Sequence, residues 1–145
     1  MTQKPRAVID TSTLIGAVLR PQSVPQQAVL SAVKTHELCV SNATLDELRT
    51  VFQRAKFDRY VSLPDRLLFL DLVVSKATRF EVDHSYDAAA ADACRDPKDA
   101  KFLALALASG ANTIISSDLD LLVLHPWKDI SILTPAGFLQ MTVSP

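Results

Sequence analysis

The sequence predicts an α/β sandwich around a mainly parallel sheet. Short strand-like runs alternate along the chain with stretches whose apolar residues recur at helical spacing, the pattern of strand–helix–strand units. A length of 145 residues fits one domain, residues 1–145, with little room for a second. Apolar residues make up 48% of the chain and only three residues are glycine, so a packed core is expected. A chain of this size buries roughly two-thirds of its unfolded surface and folds without covalent staples.

Each element follows from local pattern. Ala7-Val8-Ile9 reads as the first strand, and residues 11–19 as a helix that stops before Pro21. Residues 25–34 place Ala28, Val29, Ala32 and Val33 at helical spacing. Residues 37–40 form a second short strand. Ser41 and Asn42 then offer caps for a helix from Ala43 to about Arg54. Residues 64–78 read as a helix with Pro64 in its first turn. A strand is expected at 79–82, and the alanine-rich stretch 87–94 is helical. Residues 96–109 carry the strongest helical pattern, closed by Gly110. Residues 113–116 and 130–133 are strands separated by a short helix at 118–124. Residues 135–141 close the chain as a helix.

Bulk properties exclude several classes. Fifteen basic residues against sixteen acidic ones rule out a histone-like blanket of positive charge. Cys39 and Cys94 fit no metal-ligand spacing and are expected as two buried thiols of a cytoplasmic protein. Arg6-Ala7-Val8-Ile9 runs straight into Asp10, so no signal peptide is expected. The longest apolar runs, 67–70 and 102–108, are too short to span a bilayer, so no membrane partner is expected. His36, His84 and His125 are scattered and suggest neither ligand nor base.

The carboxylates are the informative residues. Ligands of open parallel sheets bind beyond the carboxyl ends of the strands. Asp10 directly follows the first strand and Asp118 closely follows the strand at 113–116, so the two point to one shared cleft. Asp10 alone is more readily a turn or capping residue; only the pair brings the functional reading level with that one. Glu47 lies beside Val51 on the border of the stripe made by Leu45, Leu48, Val51 and Phe52, whereas Asp46 points away. Asp96-Pro97-Lys98-Asp99 has the form of a helix start, which explains Asp96 as the cap. It explains Asp99 less well, because Asp99 shares a face with Phe102, Leu103 and Ala106 and so faces inward. An inward carboxylate is costly without a partner, and a metal ion would supply one.

Several carboxylates in one cleft define a chemistry. Two like charges ~4 Å apart repel by about 4 kcal/mol at an effective dielectric constant of 20, so the group either takes up protons or holds a cation. Oxygen ligands suit Mg²⁺ or Mn²⁺. Such an ion activates water, neutralises phosphate charge and stabilises a leaving oxygen, which is the chemistry of phosphodiester hydrolysis. Arg49, Arg54, Lys56 and Arg59 cluster in and after the Glu47 helix, and Arg95, Lys98 and Lys101 surround Asp99. A basic rim of that kind grips a nucleic-acid backbone, although any single one of these residues is more readily a solvated side chain.

These motifs resemble a known family. Val8-Ile9-Asp10-Thr11-Ser12 resembles the opening strand motif of PIN-domain nucleases, and the segment from Ser41 to Leu48 resembles their second acidic motif, with Glu47 in the catalytic place. The segment from Cys94 to Ala106 is similar to a third motif found in a bacterial and archaeal toxin branch. Ile114-Ile115-Ser116-Ser117-Asp118-Leu119-Asp120-Leu121-Leu122 resembles the fourth, and Thr134-Pro135-Ala136-Gly137-Phe138-Leu139 also fits that branch. The resemblance runs from Ala7 to about Met141, five motifs in order.

It implies a three-layer α/β/α PIN-like fold and a metal-dependent endoribonuclease that cleaves single-stranded RNA with Mg²⁺ or Mn²⁺. Asp10, Glu47, Asp99 and Asp118 would be the catalytic metal ligands, with Asp120 a weaker fifth. Ser12 stands where Asn is common and Ser116 where Thr is usual; with Asp96 they would support the ligands by hydrogen bonds. Arg49, Arg54, Lys56, Lys98 and Lys101 would contact RNA, with Lys98 replacing an acid frequent in the branch. The branch also implies an antitoxin protein as partner, and a homodimer or higher oligomer is expected. An apolar groove made by the helices at 25–34 and 64–78 is the expected place for an antitoxin segment or a second subunit. Two rivals stand beside it. One is a catalytically silent PIN-like module that binds RNA or protein. The other is a Rossmann-like Mg²⁺-dependent phosphohydrolase, whose usual haloacid-dehalogenase signature needs a second Asp where Ser12 stands; a receiver domain lacks its phospho-accepting arrangement.

Overall fold

A computed structural model of the chain describes residues 4–143. The first strand, β1 (Arg6–Ile9), enters α1 (Thr11–Leu19) and α2 (Val24–Thr35), then returns as β2 (Glu37–Val40). There follow α3 (Asn42–Phe52), α4 (Leu63–Ser75), β3 (Ala77–Arg79), α5 (His84–Ala93), α6 (Ala100–Ser109), β4 (Thr113–Ile115), α7 (Leu119–Leu122), β5 (Ser131–Leu133) and α8 (Pro135–Val143). The strands lie in the order β3-β2-β1-β4-β5, and every pairing is parallel. The expected parallel sheet is therefore present.

Alternation along the strands builds two apolar layers. Ala7, Ile9, Leu38 and Ile115 face one side and pack against α1, α2, α3, α4 and α8. Val8, Cys39, Ile114 and Ile132 face the other and pack against α5, α6 and α7. Helices on both faces of one sheet make the three-layer α/β/α arrangement. Cys39 is buried as expected, but Cys94 is only half-buried, and both are free thiols.

Several boundaries depart from the sequence reading. Helix α5 begins at His84 rather than 87, and β3 ends at Arg79 rather than 82. Two further departures have a clear physical cause. The fourth helix ends at Ser75 rather than 78, and β3 begins at Ala77 rather than 79. No glycine or proline marks that junction, and the β-branched Val73-Val74 pair suits helix and strand alike. Pairing with β2 decides it: Leu38, Cys39 and Val40 lie opposite Ala77, Thr78 and Arg79. The expected single helix at 96–109 is instead a 3₁₀ turn, Pro97–Asp99, leading into α6. Asp96 causes the break. Its side chain accepts from the Lys98 N–H at 3.0 Å, and its carbonyl accepts from the Asp99 N–H at 3.0 Å. Gly110, at φ 73°, closes α6 in the left-handed conformation that glycine adopts without strain.

Candidate active site

From β1 the chain proceeds outward to β2 and β3 on one side, while β4 and β5 lie on the other. The carboxyl ends of β1 and β4 thus flank the point where the strand order reverses, the place where open sheets leave a crevice. Asp10 follows β1, and Ser116 and Asp118 follow β4.

Asp10 is buried and caps α1. The Thr13 N–H donates to its Oδ1 at 2.9 Å, the Ser12 hydroxyl donates to Oδ2 at 3.1 Å, and the Ser116 hydroxyl donates to the same oxygen. Burial pushes the Asp10 carboxyl above the usual aspartate range, opposed by the hydrogen bonds from Ser116, Thr13 and Ser12. The Ser116 oxygen in turn accepts from the Asp118 N–H at 2.9 Å, so one hydroxyl ties the two strand ends together. Asp118 caps α7, its Oδ1 accepting from the Asp120 N–H at 2.8 Å.

Asp99 is 8% exposed, and its Oδ2 is buried without a donor. The 3₁₀ turn accounts for this: because Asp96 does the capping, the Asp99 side chain makes no cap hydrogen bond and turns inward. Its carboxyl is pushed up to about 7, first by burial, then by facing Asp118, with which it can share a proton, and then by the charges of Asp118, Asp96 and Asp10. With both groups ionised there are only acceptors, which is why the Oδ2 is orphaned. Carboxylate oxygens of Asp96, Asp99 and Asp120 lie within 4.8 Å of one another. Asp96, read from sequence as a supporting cap, is therefore also a member of the acidic group.

Glu47 is half-buried on α3, as its place on the helix border predicts. The Thr11 hydroxyl donates to its Oε2, and the Lys101 ammonium donates to its Oε1 at 3.0 Å and to the Lys98 carbonyl at 2.7 Å. Asp10, Glu47, Asp96, Asp99 and Asp118 all line one open cleft of about 400 Å³. Arg54, Lys56 and Lys98 line it too, and Ile15, Val51, Phe57 and Phe102 form its apolar walls. Arg49 is exposed and does not line the cleft.

Two contributions have no sequence signal. Thr11 and Lys101 meet Glu47 across 36 and 54 residues, and no local pattern encodes that meeting. Arg66 is different. It shares an i, i+4, i+7 face with the buried Leu70 and Val73, so its burial was there to be read.

The fold and cleft can be set beside known proteins. The sequence model of the PIN domain matches residues 6–120. The chain belongs to the PIN-domain family. Similar solved structures include VapBC2 from Rickettsia felis bound to a promoter DNA fragment, at TM-score 0.63 and 11% identity, covering 89% of this chain and 98% of that one. FitAcB from Neisseria gonorrhoeae aligns at TM-score 0.60 and 21% identity, over 90% and 98%. VapC20 from Mycobacterium tuberculosis, described as a sarcin-ricin loop cleaving toxin, aligns at 0.50 and 13%, over 74% and 86%. At these identities the likeness is one of PIN fold. No curated protein sequence matches the chain. Among the described residues no helix is long and apolar enough to cross a membrane.

Proposed function

We propose that this PIN-domain chain is a metal-dependent endoribonuclease that cleaves single-stranded RNA, acting as the toxin of a toxin–antitoxin pair. The observation that carries the reading is Asp99: a buried carboxylate with an orphaned oxygen, set against Asp118, in a cleft that also holds Asp10, Glu47 and Asp96. Such a donor set fits a hard divalent cation, because among the described residues no side-chain cation pairs with Asp99 to offset carboxylates crowded this closely. Asp10, Glu47, Asp99 and Asp118 would hold Mg²⁺ or Mn²⁺, with Asp120 and Asp96 beside them. When bound, the cation supplies electrophilic stabilisation of a phosphoryl group and a more acidic attacking water.

The chain's own residues do the rest. Ser116, Ser12 and the Thr13 N–H hold Asp10 in one orientation, so its carboxylate needs no rearrangement. Thr11 and Lys101 fix Glu47, and Lys101 balances its charge. Arg54, Lys56 and Lys98 draw the RNA backbone across the acidic centre. VapC20, a toxin that cleaves the sarcin-ricin loop, supports both the activity and the toxin role. The toxin reading brings an antitoxin with it; the exposed Leu30 of α2 and Leu68 and Leu72 of α4 offer apolar faces for it or for a second subunit.

One observation favours the silent-module alternative: Glu47 already has a cationic partner in Lys101. A single experiment separates the two readings. Purified protein is incubated with mixed single-stranded RNAs, with and without Mn²⁺, beside Asp10→Asn. Cleavage that needs Mn²⁺ and is lost in the variant is expected. RNA binding without cleavage under any condition would leave the silent module standing, and hydrolysis of small phosphate monoesters alone would point to the phosphohydrolase.

A further inference from the structure

We infer that Arg66 locks the segment between α3 and α4 into a rigid cation–aromatic edge, and that this edge binds single-stranded RNA beside the cut through the Tyr60 ring. The inference rests on the ribonuclease reading for its ligand and on independent geometry for its site.

Arg66 is fully buried, yet among the described residues its only carboxylate partner is Asp58, whose side chain is 59% exposed. A guanidinium is expensive to bury, so its hydrogen bonds show what it is for. Nε donates to the Phe52 carbonyl at 2.8 Å. One terminal nitrogen donates to the Val61 carbonyl at 2.6 Å and to Asp58 Oδ1 at 2.9 Å, and the other to the Arg54 carbonyl at 3.2 Å. These acceptors lie at both ends and in the middle of residues 52–61, a stretch with no strand to hold it and only one 3₁₀ turn, Ala55–Phe57. One planar fork thus pins a whole loop. Lysine cannot replace it, because its three donors share a single nitrogen.

The pinned segment carries chemistry. Arg54, Lys56 and Phe57 line the cleft, with the Lys56 ammonium 5.2 Å from the Phe57 ring centroid. Arg59 lies over the Tyr60 ring at 5.1 Å, and Tyr60 is 61% exposed. Three cations interleaved with aromatic rings match a single strand, whose phosphates meet charge while an unstacked base meets a ring. A duplex keeps its bases stacked and offers no face to Tyr60.

The test uses the full chain in EDTA, titrated with a fluorescent, unstructured 12-nucleotide RNA and followed by anisotropy. Tyr60→Ala, at an exposed site, is expected to weaken binding about tenfold with little change in salt dependence, because no phosphate contact is lost. Arg66→Lys is expected to weaken binding, to lower the salt slope, and to open Arg54, Lys56 and Arg59 to trypsin while the rest of the chain resists. If Arg66→Lys fails to fold, Tyr60→Ala and a duplex competitor of the same sequence decide alone. Unchanged affinity in Tyr60→Ala, or a duplex bound as tightly as the single strand, overturns the proposal. Cleavage with Mn²⁺ is scored separately. Wild type that cuts RNA while Tyr60→Ala binds normally sinks this inference and spares the nuclease reading; Tyr60-dependent binding without cutting does the reverse.

Discussion

Asp99→Asn is expected to abolish RNA cleavage and, in the same protein stripped of metal, to raise stability. The two effects share one cause. The Asp99 carboxyl is buried against Asp118 near Asp96 and Asp10, so its charge is repelled, and a bound cation would relieve that repulsion. Asparagine keeps the shape and removes the charge. A proposed metal ligand is then lost, and with it several kcal/mol of transition-state stabilisation, about a thousandfold or more in rate. The metal-free fold gains roughly 1–3 kcal/mol as repulsion is relieved.

The sign of the pH dependence follows. In the folded chain Asp99 titrates at about 7, above the usual 3.8, so the native state holds a proton that the unfolded chain has released. Wild-type stability without metal should therefore be full below about pH 4, fall as pH rises toward 7, and level off beyond. Urea midpoints at pH 5 and pH 8 would read this directly. The difference should shrink in Asp99→Asn, with a remainder from Asp10, whose carboxyl burial also raises. A variant less stable than wild type at both pH values would instead make Asp99 a structural residue.

Mn²⁺ is expected to stabilise the wild-type protein strongly. At a hundred times the dissociation constant, mass action contributes about 2.7 kcal/mol, which for a chain this size is a rise of roughly 8 °C in melting temperature. Asp10→Asn should lose most of that rise. Asparagine still caps α1 through the Thr13 N–H, so the metal-free melting temperature should move little. Equal rises in both proteins, followed by differential scanning fluorimetry, would remove Asp10 from the metal centre.

The parallel sheet was legible because its signals are local. Alternating strand and helix patterns mark β1, β2, β4 and β5, and acids just past β1 and β4 point to the crevice between them. Glu47 was legible from its place at the border of an apolar helix face. Asp99 was legible because an inward acid in an apolar helix needs a reason. The α4–β3 junction was not, since partnership with Val40 and Leu38 decides it and residues 73–78 carry no breaker. Nor was the inclusion of Asp96 in the acidic group, since the capping pattern accounts for that residue completely. The bonds from Thr11 and Lys101 to Glu47 depend on how α1, α3 and α6 meet, and that is a property of the packed layers.

The double duty of the acids carries a consequence for how the pocket would report its own occupancy. Asp10, Asp96 and Asp118 each spend one oxygen on a main-chain amide: those of Thr13, Lys98 and Asp120. Anything that immobilises these carboxylates also quiets three helix or turn beginnings drawn from distant stretches of chain. Solvent exchange at those three amides should slow together on cation loading, giving a residue-by-residue gauge of filling that needs no substrate.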